Sequence, residues 1–217
     1  MRKVIFGMLA MMSMEVAFAD SDIDADIKNS VSGVTSARLG FTFALSFQAS
    51  KNTYKPTATA YESKITNALL EPGFFLLFNP FHSVAEVEVD ASYKWGAPDK
   101  IESDGNGGYT SPKHALESIP VTVGLLFRNG DHAFGVGAYK DVWAKVKYYE
   151  KPDTEVKAKV DGGVGAYGEY QRALSKGEAA DSRSLIFFSR IYVGKIKLDG
   201  VKPIDDQYYG ISIGLKG

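Results

Sequence analysis

The chain has 217 residues and a formal net charge of -1, from 25 basic and 26 acidic side chains. This length fits one domain or at most two small ones, and the balanced charge provides no basic surface of the kind that nucleic acid requires. The absence of cysteine excludes disulfide frameworks, thiolate zinc sites and cysteine nucleophiles. The 22 glycines and the many Tyr and Phe residues favour an all-β protein over a helical one.

Residues 1–19 have the features of a secretory signal peptide. Arg2 and Lys3 give a positive start, an apolar run follows, and Ala17-Phe18-Ala19 is a cleavage pattern of small residues. We therefore expect cleavage after Ala19, leaving residues 20–37 as an N-terminal periplasmic segment. Beyond residue 19, no stretch approaches the ~18 consecutive apolar residues that a spanning helix needs.

Alternating apolar and polar residues recur along the remaining chain. From Leu39 to Phe47, the odd-numbered residues are large and apolar, whereas the even-numbered residues are small or polar. Because successive side chains of a strand point to opposite faces, this segment is predicted to be a strand with one apolar face. A change of phase after Gly194, seen at Ile196 and Leu198, predicts a β-bulge. Seven further strands are predicted at 73–78, 85–95, 119–127, 134–148, 156–170, 185–193 and 209–215.

The connections between these strands alternate in length. Longer loops are predicted at one end of the strands, at residues 51–72, 96–117, 150–154 and 199–206. Tight turns are predicted at the other end, at residues 79–82 and 129–132, and the third turn there, at residues 172–183, is longer. Short turns at one end, longer loops at the other and an even number of strands are typical of outer-membrane barrels. The predicted fold class is therefore all-β, an eight-stranded antiparallel up-and-down transmembrane β-barrel over residues 38–217.

Alternation alone does not decide which face of a barrel points outward, since a soluble lipocalin-type barrel would turn its apolar face inward around a ligand. A polar face of small residues with charges of both signs favours the membrane barrel, because closure satisfies every backbone polar group within lipid. Aromatic residues near the ends of the apolar stripes resemble interfacial girdles: Phe47, Tyr93, Trp95, Phe127, Phe134, Tyr148, Tyr170 and Tyr209. The polar face is predicted to fill a narrow lumen with an ion-paired network of Arg38, Glu86, Glu88, Asp90, Lys94, Arg128, Asp141, Lys145, Lys147, Lys157, Lys159, Asp161, Glu169 and Arg190.

The C-terminal segment Tyr208–Leu215 reads YYGISIGL. With the signal peptide and the strand pattern, it resembles the small eight-stranded outer-membrane β-barrels of the OmpA transmembrane domain and OmpX type, over roughly residues 38–217. The segment is similar to that family's C-terminal assembly signal, although the family usually ends on an aromatic residue and this chain ends Leu215-Lys216-Gly217. The resemblance implies a monomeric barrel among the lipids of the outer membrane of a Gram-negative bacterium.

Residues with catalytic potential are few. Some barrels of this size modify lipid A, and His114, with Ser111 and Glu117 nearby, is the one histidine predicted on the loop side; His82 and His132 fall in the turns. We expect no catalytic residue. The expected function is a structural role, or surface interactions of the loops with host or cell-envelope molecules. A lipid A-modifying enzyme and a soluble periplasmic barrel that binds an apolar ligand are the alternatives.

The row Glu86, Glu88 and Asp90 has the carboxylates of a calcium site. Pairing with the lysines of neighbouring strands accounts for the same row more simply. The sequence contains no P-loop, dinucleotide fingerprint or metal-ligand cluster, so we expect neither a cofactor nor a metal site. Because eight strands enclose little more than their own side chains, the lumen is predicted to be plugged.

Overall fold

The computed structural model describes residues 37–79, 85–98, 113–151, 154–174 and 185–217, except for the side chains of residues 67 and 151. The predicted signal peptide and most of segment 20–37 lie outside these ranges. The described residues form β1 Ala37–Tyr54, β2 Ser63–Phe78, β3 Ala85–Ser92, β4 Ala115–Asn129, β5 His132–Lys151, β6 Thr154–Lys159, β7 Asp161–Ala173, β8 Ile186–Leu198 and β9 Ile204–Lys216. Within them, no helix is long and apolar enough to cross a membrane.

The strands close into a ring in which each strand pairs antiparallel with its neighbour along the chain. β6 and β7 both pair with β5 and are separated only by Val160, so they act as two parts of one strand. The pairing of β4 with β5 and of β1 with β9 closes the ring at eight strands. The predicted eight-stranded antiparallel up-and-down barrel is therefore confirmed.

The ends of the barrel differ from the prediction in one loop. β1 continues to Tyr54 and β2 begins at Ser63, so the first connection spans only residues 55–62 rather than 51–72. At the opposite end, Asn129 pairs with His132 across a two-residue turn. Its first residue, Gly130, has φ of 61°, the positive value that such tight hairpin turns need at this position. The predicted turn 79–82 and most of 172–183 lie outside the described residues.

A belt of exposed apolar side chains surrounds the half of the barrel nearer the short turns. On β1 it runs from Leu39 to Phe47, which is roughly 20 Å along the barrel axis for eight strand residues tilted by about 40°. This height is close to the ~25 Å apolar band of a membrane barrel. The following side chains of the belt are at least 39% exposed: Leu39, Phe43, Leu45, Phe47, Phe74, Val123, Leu125, Phe127, Phe134, Val136, Val142, Val164, Ile191, Val193, Tyr209, Ile213 and Leu215.

Above the belt, on the side of the longer connections, the barrel has the opposite sidedness. Its interior there is an apolar core of Tyr54, Ile65, Leu116, Ala144, Val146, Tyr148, Val160, Ile196 and Leu198, with Val156, Ala158 and Ile204 packed against it. Lysines alternate with these residues and face outward. This portion therefore has the apolar interior and charged exterior of a soluble barrel, whereas the belt portion has a polar interior and an apolar exterior.

In β5 and β7, two β-bulges bring about this change of sidedness. In β5, Ile119 pairs with Trp143 and Pro120 with Asp141, which leaves Val142 as an extra residue. In β7, residues 162 and 163 together face the single residue Ile196 of β8. An extra residue shifts the two-residue alternation by one, so every later side chain changes face.

The bulges overturn five of the lumen assignments. Lys145, Lys147, Lys157, Lys159 and Asp161 lie on the outer face, because their neighbours Ala144, Val146, Ala158 and Val160 occupy the inner core. Trp143 lies on the outer face, stacked on Tyr93, and Tyr148, predicted on the outer aromatic girdle, is buried inside.

The predicted bulge near Gly194 is also wrong. β8 pairs with β9 in unbroken register from Ile186 to Leu198. Its inward positions change from Arg190 and Tyr192 to Ile196 and Leu198 without any change of phase. In this strand, therefore, the composition of the inner face changes while the geometry does not.

Candidate functional site: the barrel lumen

A buried guanidinium lies at the centre of the lumen. Arg190 on β8 contacts Asp90 at 2.7 Å and Glu88 at 3.3 Å on β3, and Glu169 on the neighbouring β7 at 2.6 Å. β3 and β8 are four strands apart in either direction around the ring, so they are opposite walls. Arg190 is therefore a strut across the barrel, and its side chain is only 5% exposed.

Lys216 completes this ion cluster from the C-terminal strand. Its ammonium contacts Glu88 at 2.5 Å and Glu169 at 2.6 Å, and its side chain is fully buried. The Gln171 amide donates to the same two carboxylates at 2.8 and 2.7 Å. The sequence signal for Lys216 is its inward phase on the last strand, opposite the apolar face of Ile213 and Leu215.

A second polar cluster surrounds Glu71 on β2. Its carboxylate accepts hydrogen bonds from Ser46, from Ser212 at 2.9 Å and from Ser92 at 2.7 Å. The Lys94 ammonium is 4.0 Å away. Glu71 lies in the segment that the sequence assigned to the first loop, so it was absent from the predicted network.

Tyrosines fill the lumen between these clusters and the apolar core above. Tyr139, Tyr192 and Tyr208 pack edge to face, with ring centroids 5.8–6.3 Å apart. Tyr208 donates to Asp141 at 2.7 Å, and the Lys94 ammonium lies 3.9 Å from the centre of the Tyr192 ring. Cation–π contacts and hydrogen bonds thus join the polar and aromatic layers.

The remaining open space in this layer is small. A cavity of about 10 Å³ lies among Glu71, Lys94, Thr122, Tyr139 and Arg190. A volume of this size holds about one water molecule. Small residues permit the close packing: a Cβ on Gly163 would come within 2.7 Å of the Tyr208 ring and 2.8 Å of the Asp141 carboxylate.

The end of the lumen near the short turns has its own ion pair, between Arg128 and Glu86. Arg128 donates to Glu86 through two nitrogens, at 3.0 and 2.9 Å, and the two side chains are 25% and 18% exposed. The Arg38 guanidinium lies 5.5 Å from the centre of the Phe75 ring, and Phe75 packs with Leu77 and Leu126.

Nine of the predicted network residues thus point into the lumen. The acidic row on β3 pairs with Arg128, Arg190 and Lys216, and not with the lysines of β5 and β6. No group of carboxylates or histidines among the described residues could hold a metal ion. The nine residues are Arg38, Glu86, Glu88, Asp90, Lys94, Arg128, Asp141, Glu169 and Arg190.

The candidate residues for lipid A chemistry are not brought together. His114 is buried at the top of the inner core, where its Nε2–H donates to the Tyr54 carbonyl at 3.1 Å. Glu117 points to the outer face and binds Lys145 at 2.7 Å and Lys147 at 3.1 Å. The imidazole and the carboxylate are thus on opposite sides of the wall, and Ser111 lies outside the described residues.

Comparison with known proteins bears on the fold. No protein-family model matches the chain, and no curated protein matches it. The crystal structure of Neisserial surface protein A (NspA) is similar, with a TM-score of 0.50 at 10% sequence identity, over 83% of this chain and 97% of that chain. At this identity the likeness concerns the fold alone: the chain has the fold of a small outer-membrane β-barrel.

Proposed function

We propose that the protein is a small outer-membrane β-barrel with a closed lumen, which acts as a structural or surface-interaction protein through its longer connections. The observation that carries this proposal is the sidedness of the belt. Large apolar side chains face outward over roughly 20 Å, while carboxylates, Arg190 and Lys216 are buried inside. Only a surrounding apolar phase, such as lipid, makes this arrangement favourable.

The same sidedness argues against a soluble barrel that binds an apolar ligand. Such a protein would need an apolar interior with a cavity of roughly 300 Å³ or more. The apolar core of this barrel is packed with its own side chains, including Tyr54 and Tyr148. In water, the belt would also expose far more contiguous apolar surface than monomeric soluble proteins present.

The layers of the lumen support the closed state. Arg190 joins opposite walls, the tyrosines pack above it, and the Arg128–Glu86 pair lies below. Opening a path for ions would separate buried ion pairs, each of which is costly to break. We therefore infer that the barrel conducts no steady current and that its role belongs to the outer surface and the loop end.

The orientation follows from the connection between β3 and β4, residues 93–114, which is the longest in the barrel. Outer-membrane barrels have short periplasmic turns and longer extracellular connections. By this rule the two-residue turn at Gly130 faces the periplasm. The upper barrel, with its apolar core and charged exterior, then projects from the cell surface, where host or cell-envelope molecules would meet it.

Expression of the full chain in a Gram-negative host tests the location. We expect the protein in the outer-membrane fraction, released only by detergent, with a mass corresponding to cleavage after Ala19. Recovery from the soluble periplasmic fraction without detergent would refute the membrane proposal.

Planar-bilayer recording of the protein purified from those membranes tests the closed lumen. We expect rare or very small current events. Large, stable single-channel steps, comparable to those of wide porins, would show that the lumen is open.

A further inference from the structure

The hairpin of β5 and β6 carries four lysines on its outer face: Lys145, Lys147, Lys157 and Lys159. We refer to these four residues as the lysine wall. Lys145 lies directly opposite Lys159, and Lys147 directly opposite Lys157. Because side chains between them occupy the inner core, all four lysines lie on the outer face. Lys147 is buried there, with its ammonium donating to the Gly96 carbonyl at 3.3 Å and to Glu117 at 3.1 Å, whereas Lys157 and Lys159 are exposed.

The charge of the lysine wall is only partly balanced by the protein. Like charges directly opposite one another on a sheet are destabilising. Glu117 serves both Lys145 and Lys147, and Glu155 contacts Lys157 at 3.5 Å. Among the described residues, Lys159 makes no ion pair within 4 Å. Lys147 is held by Glu117 and the Gly96 carbonyl. Lys145 and Lys159 are therefore the opposed pair whose repulsion a bound anion would relieve.

The position of the wall relative to the belt indicates which anion. Val142 is the last belt residue on β5 and is 59% exposed. At about 2.5 Å of axial rise per tilted residue, Lys145 lies roughly 7 Å beyond it and Lys147 roughly 12 Å beyond it. The polar head-group zone of a bilayer extends about 5–7 Å beyond the hydrocarbon. Two aromatic residues occupy the boundary between the belt and the head-group zone. They are Trp143, whose ring centre lies 4.7 Å from the Lys145 ammonium, and Tyr93, which stacks on Trp143.

We propose that the Lys145–Lys159 pair of the lysine wall binds the phosphate groups of lipids in the leaflet from which the longer connections emerge. The inference rests on the proposed outer-membrane location. Lys145 and Lys159 lie directly opposite each other, close to the depth of the head groups, whereas Lys147 and Lys157 lie farther from the belt. A phosphate placed between Lys145 and Lys159 would be reached by two cationic donors, while the acyl chains of the same lipid would pack on the adjoining belt.

The test uses the protein purified from membranes and reconstituted in phosphatidylcholine nanodiscs. The probes are phosphorylated lipid A, the same lipid after enzymatic dephosphorylation, and inorganic tripolyphosphate, with binding measured by native mass spectrometry and thermal unfolding. The test variant carries K145Q and K159Q. A matched control carries K51Q and K64Q, which remove the same charge from exposed lysines elsewhere at the loop end.

We expect the wild type and the matched control to bind phosphorylated lipid A alike and to bind the dephosphorylated lipid weakly. Loss of Lys145 and Lys159 should weaken binding by about tenfold or more, given the contribution of each juxtamembrane lysine. Equal binding by the test variant and the wild type would overturn the proposal. Tripolyphosphate binding as tight as lipid binding would also overturn it, in favour of a site for soluble polyanions.

Insertion separates this inference from the proposed function. The Lys→Gln changes on the outer face should leave insertion into neutral nanodiscs intact. Normal insertion with unchanged lipid A binding would refute the lysine wall alone. Failure of the wild type itself to insert would refute the membrane location, and the lysine wall with it.

Discussion

Replacing Arg190 with methionine tests the claim that ion pairs fasten the walls of the barrel together. Methionine retains an apolar stem beside Tyr167 and Phe188, whose ring centres lie 4.5 and 5.7 Å from the guanidinium carbon. The substitution removes only the charge and its hydrogen bonds. Asp90 then loses its 2.7 Å contact with a cation, while Glu88 and Glu169 retain Lys216.

The expected cost is large because the group left behind is buried. Removing one partner of a buried ion pair costs about 3–5 kcal/mol, since the other charge stays desolvated and uncompensated. Arg128→Met is the matched control, because the Arg128 and Glu86 side chains are 25% and 18% exposed. Solvent screens that pair, so its loss should cost about 1 kcal/mol. Adding Asp90→Asn to Arg190→Met should recover about 1–3 kcal/mol, as expected for directly interacting residues.

Urea unfolding of the reconstituted variants measures these differences. Tryptophan emission is a suitable signal, since Trp95 and Trp143 lie on the outer face. The shift in electrophoretic mobility between folded and unfolded barrels provides a second signal. If Arg190→Met cost no more than Arg128→Met, or if Asp90→Asn gave no recovery, the lumen would be hydrated and the strut would not hold the walls.

Three further results are expected. Arginine at Phe43 or Val123, near the middle of the belt, should reduce folding stability in lipid by roughly 2–4 kcal/mol, as at other lipid-facing midplane sites. Deletion of Val142 should prevent formation of the upper barrel, measured by protease resistance, because it would turn the lysines of β5 inward and its core residues outward. Burial lowers the pKa of the His114 imidazole below its ordinary value, so the folded state binds this proton less readily than the unfolded state. Stability from His114 is therefore complete above about pH 6.5 and is lost as pH falls toward the folded pKa, and His114→Gln should remove that decline in urea titrations between pH 7 and 5.

Each result has a clear contrary outcome. Negligible effects of arginine at both belt positions would place those faces outside the hydrocarbon. Val142→Ala is the control for the deletion, because it trims an exposed side chain and keeps the bulge; equal damage by both changes would mean that the side chain, not the phase shift, matters. An unchanged pH profile in the His114 variant would show that another group causes the loss of stability in acid.

The sequence by itself was sufficient for the architecture of the belt. Three features identify the number of strands and their order. They are the side-chain period of two, wide apolar faces such as Leu39–Phe47, and Gly130 between two alternating segments. They also identify the apolar face of β1, β3 and β9, because these strands contain large apolar residues on one face only. The small and charged residues of the opposite face favour lipid on the apolar side. Local periodicity is enough here, since closing a ring of sequential neighbours needs no long-range information.

Only the tertiary structure decided the sidedness of the upper barrel. A segment such as Val156–Lys159 alternates equally well in either phase, so its pattern does not show which face is inside. The phase depends on the bulges at Val142 and Gly162–Gly163, and bulges are defined by register against a partner strand. The lysine composition of this face was the available signal, because four like charges do not fit a narrow lumen without partners.

The ion cluster likewise depended on closure of the ring. Lys216 and Glu88 are 128 residues apart and meet only because β9 and β3 face one lumen. Periodicity along one strand indicates that each side chain points inward, and it placed Glu88 and Arg190 there. It carries no information about the position of a side chain along the barrel axis or around its circumference. Both positions follow from strand tilt and stagger in the closed sheet. They determine which opposite charges lie within reach of each other.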